Sequence, residues 1–569
     1  MIRNLPAKWD IEADVVAVGS GIGGLSAAIA AHEHGAKAVV LERTDEVGGV
    51  TALSLGELWV AGNHRSPTVG VEDSPESGFR YLKRLAMGYG EDAAILNFAV
   101  HARVALKYFE ETIGLKTRVI RKCPDYYYGV TPDSVAEGRL LEVLPFPADT
   151  LGEWQGRTRV SPTVPYALTH EEMFEKGRGV ANMANWDYDV MAERLQKDQR
   201  CLGAGLASYF VKGALDRRIP LHTGCNVQEL VCDGTRVVGV RASRDGKDVF
   251  VRAGRGVVLA VSSYERNADY SRSLGQQLDI GSMVFPSIDG ANFRLAGPVG
   301  ARIARVPDIT ALGYRVPGEE LPSGEPIWRN AMQPIGLPHT IVVNRKGRRF
   351  GNEAFYRSIL YAVDFIDGGT QTHPNFPCWA ILDSQARQKY PFGSVMPGQD
   401  LPDELGTKAG SVPELARKIG VQEDSLVRTI ADFNRYCERG EDPEFLRGTH
   451  PWGAWMCGDP ENKPHPNLGA LVKPPFYAIE LHRLGGSAIP AAGLVADIHS
   501  RAVGWDEKPI EGLYVAGNSV ARLETGASMQ SGISNARGMT HGYLAGRHAA
   551  GSASDLLKKE LGRAGLRGD

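Results

Sequence analysis

A glycine-rich segment near the start of the chain could bind the phosphates of a dinucleotide. It reads Gly19-Ser20-Gly21-Ile22-Gly23-Gly24, and an acid, Glu42, lies 18 residues after Gly24. In this pattern the first glycine permits a tight turn, the second lets the backbone approach a pyrophosphate, and the last lets a helix pack on a strand. Glu42 would accept hydrogen bonds from ribose hydroxyls, and an acid there disfavours a 2′-phosphate. The spacing therefore predicts FAD or NAD rather than NADP.

The elements predicted around these glycines place the turn where such binding needs it. Residues 14–18 form a short apolar run, typical of a buried parallel strand, and residues 25–35 are typical of a helix that ends at Gly35. Residues 38–41 predict a second strand with Glu42 at its end. The turn thus lies between a strand and a helix, whose N-terminal N–H groups and positive dipole end would face the phosphates.

A second loop of small residues follows the acid and favours FAD over NAD. Residues 48–56 read Gly-Gly-Val-Thr-Ala-Leu-Ser-Leu-Gly, which would suit an extended dinucleotide whose flavin end lies deeper in the protein. This stretch resembles the GG-x-T-A-x-S-G-G segment of the fumarate reductase/3-ketosteroid dehydrogenase flavoproteins, with Leu55 in place of one glycine. No histidine occupies residues 43–62, so non-covalent FAD is expected. The resemblance implies that five residues of this segment bind the cofactor: Arg43, Gly49, Thr51, Ala52 and Ser54.

Two middle segments match the same family in the expected order. Residues 221–231 and 237–242 predict two strands of a hairpin, and in the family this region places backbone near the adenine, here at Val227. Residues 256–264 predict a buried strand similar to the family's A-x-G-G-F, which includes Ala260. Serines 262 and 263 replace its two glycines, so this match is partial.

The strongest match lies near the other end of the chain. Residues 509–518 resemble the closing flavin motif PIPGLYAAGN, and a Gly/Ser-rich turn and an apolar helix follow. In the family the helix N-terminus faces the electron-rich N1/O2 side of the flavin, which needs positive potential when reduced. The cofactor-binding residues implied here are Gly517, Asn518 and Ile533.

Flavin motifs at opposite ends of a 569-residue chain predict two interleaved domains. We expect an α/β fold with a discontinuous, Rossmann-like FAD-binding domain, residues 1–280 and 470–569, and an inserted α+β catalytic cap, residues 281–469. The cap contains a stretch at 343–353 similar to the family's V-N-x-x-G-x-R-F-x-N-E signature, which lies over the flavin. An ordinary hairpin turn that leaves Arg348 and Arg349 in solvent is the alternative interpretation.

The resemblance implies a ketone dehydrogenase that uses a tyrosine base. Desaturation next to a carbonyl needs hydrogen-bond donors on the keto oxygen, a base for the α-proton and an apolar slot. Tyr356 is placed like the family's base, though one residue short in spacing, and Tyr361 is the alternative. The cluster 126–128 is similar to a segment that supplies an assisting hydroxyl, which we expect from Tyr127 or Tyr128.

The expected keto-oxygen site departs from the family's pattern. The corresponding positions of Y-P-G-A-G fall on Ser528 and Gly532, so the glycine is retained and the tyrosine is absent. Ser528 or Ser531 could donate the second hydrogen bond. The departure weakens the case for 1,2-dehydrogenation of a steroid A ring and leaves a 4,5-desaturase, or a desaturase of a smaller cyclic ketone, equally open.

A fumarate-reductase-like ene reductase acting on an unsaturated carboxylate is the alternative function. His482 and Arg483 could bind a carboxylate near the flavin, with Arg357 or Arg349 as proton donor. However, the full set of substrate-binding His and Arg motifs is missing.

Composition excludes other classes. A net charge of −3, from 64 basic and 67 acidic residues, gives no case for nucleic acid. Seven scattered cysteines without a CxxC pair predict no metal site. No apolar run of about 18 residues predicts a transmembrane segment. We expect a cytoplasmic enzyme, with peripheral membrane attachment as the open alternative, that takes a lipophilic cyclic ketone and passes electrons to an acceptor which the sequence does not identify.

Overall fold

The computed structural model describes residues 5–164, 167–276, 281–308, 311–485 and 490–552. Its strands are β1 (Ile11–Val18), β2 (Ala38–Leu41), β3 (Leu58–Trp59), β4 (Thr117–Val119), β5 (Leu140–Val143), β6 (Phe146–Pro147), β7 (Gln199–Arg200), β8 (Leu221–His222), β9 (Asn226–Asp233), β10 (Arg236–Arg244), β11 (Lys247–Leu259), β12 (Gly281–Ser282), β13 (Ile303–Arg305), β14 (Ala311–Glu320), β15 (Pro326–Asn330), β16 (Thr340–Asn344), β17 (Cys378–Asp383), β18 (Thr407–Ala409), β19 (Phe476–Gly485), β20 (Ala492–Leu494), β21 (Arg501–Val503) and β22 (Pro509–Val515).

The helices differ widely in length and include two of 17 residues and one of 22 residues. They are α1 (Ile22–Glu33), α2 (Pro75–Ala86), α3 (Asp92–Ile113), α4 (Tyr188–Gln196), α5 (Leu202–Asp216), α6 (Ala268–Ser273), α7 (Ala291–Ala296), α8 (Met332–Gly336), α9 (Tyr356–Val363), α10 (Ser384–Lys389), α11 (Val412–Ile419), α12 (Glu423–Arg439), α13 (Pro451–Cys457) and α14 (Ile533–Ala549). Within the described ranges, none of them is both long and apolar enough to cross a bilayer.

The larger sheet joins the two ends of the chain. Its order is β21-β22-β11-β1-β2-β8, and β9 and β10 extend from β11 as an antiparallel hairpin. β1 lies parallel to both β2 and β11, and β11 is parallel to β22. Residues 15–18 of β1 and all of β2 are buried, as their unbroken apolar runs require. The α/β fold and the Rossmann-like sheet are therefore confirmed.

The second sheet forms the cap and is mostly antiparallel. Its order is β15-β14-β19-β17-β16, with β12 and β18 also paired to β19. Helices α8 to α13 lie in the same part of the chain, so the cap is α+β. Apolar side chains of α11 and α12 pack on one face of the sheet, and those of α8, α9 and α13 pack on other buried positions.

The cap sheet includes one strand from the segment expected to belong to the FAD-binding domain. β19 begins at Phe476, inside the segment 470–569 assigned to the FAD-binding domain, yet it pairs with four cap strands, β12, β14, β17 and β18. The chain therefore returns to the larger sheet after Gly485, because the strand at the centre of the cap sheet is supplied by this later segment. The other predicted boundary, residue 280, lies outside the described residues.

Candidate functional site

A cavity of about 640 Å³ is lined by both segments of the larger sheet and by the cap. One end is formed by the turn after β1, the end of β2 and the start of α14. The other end is apolar, with side chains that include Phe174, Trp186, Met332, Met456 and Met529. The cavity thus combines a polar, glycine-rich end with an apolar slot.

The turn after β1 has the geometry of a phosphate cradle. Gly19 has φ +102°, and a Cβ there would overlap the carbonyl oxygen of Ala260. A Cβ on Gly24 would overlap the carbonyl oxygen of Gly19, so both positions need glycine. At Gly21, by contrast, the nearest atom to such a Cβ is Thr51 Oγ1 at 3.7 Å, which leaves open space for a pyrophosphate beside the start of α1.

The Glu42 carboxylate at the end of β2 is held in one orientation. Its Oε2 accepts hydrogen bonds from the Ser20 amide at 3.1 Å and the Ser20 hydroxyl at 2.6 Å. Its Oε1 accepts from the Thr44 amide at 2.9 Å and the Thr44 hydroxyl at 3.0 Å. Because Glu42 also lines the cavity, the fixed carboxylate fits a ribose diol.

Most of the residues assigned to the cofactor surround this cavity. Gly24 and Ala52 are the exceptions, since they lie behind its wall. Asn518 Oδ1 lies 3.2 Å from the Ser534 hydroxyl, which ties the closing motif to the first turn of α14. The cofactor residues that line the cavity are Gly19, Gly21, Ile22, Gly23, Glu42, Arg43, Gly49, Thr51, Ser54, Val227, Ala260, Gly517, Asn518 and Ile533. These residues fit FAD as a group.

Two buried tyrosines meet in the cavity wall. The hydroxyls of Tyr126 and Tyr356 lie 3.3 Å apart, and both residues line the cavity. Trp452 packs edge-on against the Tyr126 ring, with 4.4 Å between ring centroids. Burial raises the pKa of both phenols, while the Arg357 guanidinium acts to lower the pKa of Tyr356. The pair therefore places a candidate base beside an assisting hydroxyl.

The other predicted catalytic side chains lie outside the cavity wall. The Tyr127 hydroxyl is 3.0 Å from Ser528 Oγ, and the Tyr361 hydroxyl donates to the Ala527 carbonyl with 42% of the residue exposed. Tyr128 is half-buried and does not line the cavity either. The three tyrosines in sequence point in different directions, and the one the sequence analysis left aside, Tyr126, lies at the site.

The Ser528 hydroxyl is hydrogen-bonded to groups outside the cavity. Besides Tyr127, its Oγ accepts a hydrogen bond from Arg357 Nη2 at 3.2 Å. Ser531 and Gly532 do line the cavity, but the Ser531 hydroxyl donates to Glu57. Gly532 is the N-cap residue of α14 and has φ +75°, in the left-handed region that favours glycine.

Gln530 is a cavity residue that sequence reasoning missed. Its Oε1 accepts hydrogen bonds from the Tyr81 hydroxyl at 2.6 Å and from the Tyr126 amide at 2.9 Å. The Tyr126 N–H can only donate, which fixes the orientation of the Gln530 amide. Its Nε2 has no hydrogen-bond partner among the described residues. No spacing rule marks this residue, because its role depends on two tyrosines about 400 residues away in sequence.

The residues that would support a carboxylate reductase are engaged elsewhere. Arg483 forms an ion pair with Asp364 at 3.2 Å, and the His482 ring packs against Trp328. Arg349 is buried in ion pairs with Glu353 and Asp442, at 2.8 and 2.7 Å, rather than exposed to solvent. None of His482, Arg483, Arg349 and Arg357 lines the cavity. Nor do the described side chains include a group of three or more His, Cys, Asp or Glu that could hold a metal ion.

The chain is similar to known proteins along most of its length. The FAD binding domain family matches residues 14–534. The 4-oxocyclohexanecarboxylate 2-dehydrogenase of Sinomonas cyclohexanicum is 29% identical, over 95% of this chain and 93% of that protein. The 3-oxosteroid 1-dehydrogenase of Mycolicibacterium smegmatis is 30% identical, over 96% and 99%. The crystal structure of 3-ketosteroid delta1-dehydrogenase from Sterolibacterium denitrificans, in complex with 1,4-androstadiene-3,17-dione, superposes with a TM-score of 0.85 at 28% identity, over 95% of this chain and 100% of that one.

Proposed function

This chain belongs to the FAD binding domain family, that of the 3-ketosteroid dehydrogenases and fumarate reductases, and FAD is its cofactor; we propose that it desaturates a lipophilic cyclic ketone next to the carbonyl group. The observation that carries the proposal is the Tyr126–Tyr356 hydroxyl pair in the wall of an apolar cavity. The same wall contains the Gly532 backbone at the start of α14. A base, a backbone donor and an apolar slot are what ketone desaturation requires.

The keto oxygen would be bound by two N–H groups. Gly532 supplies its backbone amide, and Gln530 Nε2 supplies a side-chain donor whose direction is fixed by Tyr81 and Tyr126. Hydrogen bonds to this oxygen stabilise the enolate that develops when the α-proton leaves. Gln530 would thus provide the donor that a tyrosine supplies in the family's pattern, and Ser528 would have no direct contact with the substrate.

Tyr356 would remove the α-proton. Its position at the first residue of α9 fixes the hydroxyl beside that of Tyr126, and Arg357 stabilises negative charge on the phenol. The residues at the glycine-rich end of the cavity would hold FAD, whose flavin N5 would supply the acceptor for the hydride of the β-carbon. Methionine and aromatic side chains of the cavity would hold the ring skeleton and exclude water.

The substrate class follows from the relatives and from the apolar lining. Relatives of this chain are named for 4-oxocyclohexanecarboxylate and for 3-oxosteroids, both of which are cyclic ketones. We propose that the substrate is a cyclic ketone, the class that both names share, and that FAD is held non-covalently. The enzyme would then pass electrons from the reduced flavin to a separate acceptor.

An anaerobic substrate panel tests this function. The oxidised enzyme, mixed with 4-oxocyclohexanecarboxylate or a 3-ketosteroid, should lose its visible flavin absorbance. The Tyr356→Phe variant should do so at least about 100-fold more slowly, with its FAD content unchanged. The proposal fails if every ketone leaves the flavin oxidised while fumarate or acrylate reoxidises the reduced enzyme, since that result would identify an ene reductase. Near-normal turnover of Tyr356→Phe would reject that residue as the base.

A further inference from the structure

We propose that Glu57 receives the proton that Tyr356 removes from the substrate, by way of the hydroxyls of Tyr126 and Ser531. This inference rests on the proposed function, because it concerns where the α-proton goes in that reaction. It would make Glu57 the terminal acceptor of a buried proton relay and Ser531 a connecting group rather than a donor to the keto oxygen.

Glu57 is a buried acid in the cavity wall. It lies between the small-residue loop at 48–56 and β3, lines the cavity, and is only 4% exposed. Its Oε2 accepts a hydrogen bond from the Ser531 hydroxyl, and its Oε1 has no hydrogen-bond partner among the described residues. An ionised carboxylate in such a place is costly unless it is paired. This carboxyl group is therefore stabilised by taking up a proton.

The charged and titratable groups around Glu57 come from several elements. His170 Nε2 lies 3.6 Å from Oε1, but the same nitrogen is 3.0 Å from the Leu55 carbonyl oxygen, a geometry suited to donation to that carbonyl. The Glu142 carboxylate and the Cys123 thiol are also close. Burial raises the pKa of Glu57, with His170 acting against this shift and Glu142 adding to it.

The hydroxyls of Ser531 and Tyr126 lie between Glu57 and Tyr356 in the cavity wall. Ser531 donates to Glu57, and it is near enough to the Tyr126 phenol to act on the pKa of that group. The Tyr126 hydroxyl in turn lies 3.3 Å from that of Tyr356. All four groups line the one cavity, so the path begins where the substrate would bind.

Such a path answers a difficulty in the chemistry of the base. Burial raises the pKa of Tyr356 and of Tyr126, so both phenols keep their protons at neutral pH. A neutral tyrosine can remove a proton only if it gives up its own. A carboxylate at the far end of the path provides the acceptor that neither phenol provides by itself.

The step balances without a further reactant. The α C–H bond breaks, its electron pair enters the enolate, and the proton bonds to the Tyr356 oxygen. The Tyr356 proton passes to Tyr126, the Tyr126 proton to Ser531, and the Ser531 proton to Glu57 Oε2. The three hydroxyls are restored and Glu57 becomes neutral. The hydride of the β-carbon leaves with its own electron pair in the oxidation already proposed for the bound FAD.

Rapid-mixing measurements of anaerobic flavin reduction test the relay across pH. The ketone used is whichever of 4-oxocyclohexanecarboxylate and 4-androstene-3,17-dione reduces the wild-type enzyme. The wild-type rate should rise with pH as Glu57 ionises, because only the carboxylate can accept a proton. Glu57→Gln should be slower by at least about 100-fold at pH 7 and should lose this rise. Ser531→Ala should show the same loss, whereas Ser531→Thr, which keeps a hydroxyl, should recover most of the rate.

A measurement without substrate provides a second readout. Infrared difference spectra of the FAD-loaded enzyme should show a protonated carboxyl band that titrates above the ordinary range of glutamate and is missing in Glu57→Gln. The relay is rejected if Glu57→Gln keeps the wild-type rate and pH profile, or if no such band is lost. If no ketone reduces the wild-type flavin, the proposed function itself fails and the relay with it. If the ketone reduces the flavin at the normal rate in both the wild type and Glu57→Gln, only the relay is rejected and the proposed function stands.

Discussion

Single residues at this site act through partners that are distant in sequence. Gln530 illustrates this, because its amide is oriented by the Tyr81 hydroxyl and the Tyr126 backbone, both far earlier in the chain. The Nε2 that results is buried and has no partner in the part of the chain that the structure describes, and a buried donor without an acceptor costs roughly 1–3 kcal/mol. A substrate carbonyl would remove that cost on binding. The residue is therefore expected to matter for the ketone function itself and less for the fold.

Substitution of Gln530 tests this role. Gln530→Ala should slow flavin reduction by the ketone by about 10²-fold, the effect of losing one donor to a developing oxyanion. Gln530→Glu should be slower still, because it places an acceptor against the keto oxygen. Binding of the ketone, followed by the perturbed flavin spectrum, should weaken in both variants, while binding of the matching deoxygenated ring compound should not. Equal weakening for both ligands would show that Gln530 only shapes the cavity.

At the scale of elements, the cap positions Tyr356 through a buried ion-pair cluster. The segment before α9 contains Arg349 and Glu353, which pair at 2.8 Å, and Arg447 Nη1 lies 3.2 Å from the same Glu353 carboxylate. Asp442 binds Arg349 from the other side at 2.7 Å. Although burial would raise the pKa of Glu353, the two arginines hold it below its usual value. The segment at 343–353 therefore stabilises the start of α9. Its Arg349 is held in ion pairs and does not act as a proton donor to the substrate.

We expect Glu353→Gln to destabilise the protein by about 3–5 kcal/mol, because it leaves buried arginine charge uncompensated. Urea unfolding of the FAD-loaded enzyme should show this loss. The exposed ion pair of Glu414 with Lys418 provides the control, and Glu414→Gln should leave the unfolding midpoint essentially unchanged. The pKa of Glu353 is lower in the folded protein than its usual value. The contribution of this carboxylate to the free energy of unfolding is therefore complete above the unfolded-state pKa and is lost as the pH falls through the folded-state pKa. Equal midpoints for the two variants would contradict the structural role.

The elements explain why sequence reasoning reached the cofactor more easily than the substrate site. The predicted strand at 38–41 matches β2, and the glycine turn lies between β1 and α1, because these patterns depend on local geometry. The catalytic side of the cavity depends on which of three consecutive tyrosines faces inward, and the contacts of Tyr126 with Trp452, Tyr356 and Gln530 are all distant in sequence. The place of β19 in the cap sheet, beyond the expected boundary at 470, could not be predicted for a similar reason, since β19 pairs with strands distant in sequence. Glu57 and Gln530 carry no motif at all.

At the scale of the whole molecule, FAD would connect parts of the chain that are far apart in sequence. The cavity is lined by the turn after β1, by the hairpin residue Val227, by cap residues such as Trp328, and by the start of α14. The glycine content, 67 of 569 residues, is partly explained here, because α14 approaches α1 so closely that a Cβ on Gly542 would overlap the Gly23 carbonyl oxygen. A ligand that fills this cavity would contact both segments of the larger sheet and the cap.

Removal of FAD should therefore lower the stability of the entire chain. A ligand that binds only the folded state stabilises it by about 2.7 kcal/mol when its free concentration is roughly a hundred times its Kd. We expect the apoprotein to melt at a lower temperature than the FAD-loaded enzyme, and added FAD to restore the melting temperature in a concentration-dependent way. Because the flavin is predicted to be non-covalent, acid precipitation should release it into the supernatant. Glu42→Ala should need more FAD for the same recovery, since its carboxylate is fixed by Ser20 and Thr44 for the ribose. Flavin that stays with the precipitated protein, or a melting temperature that does not respond to FAD, would contradict this account.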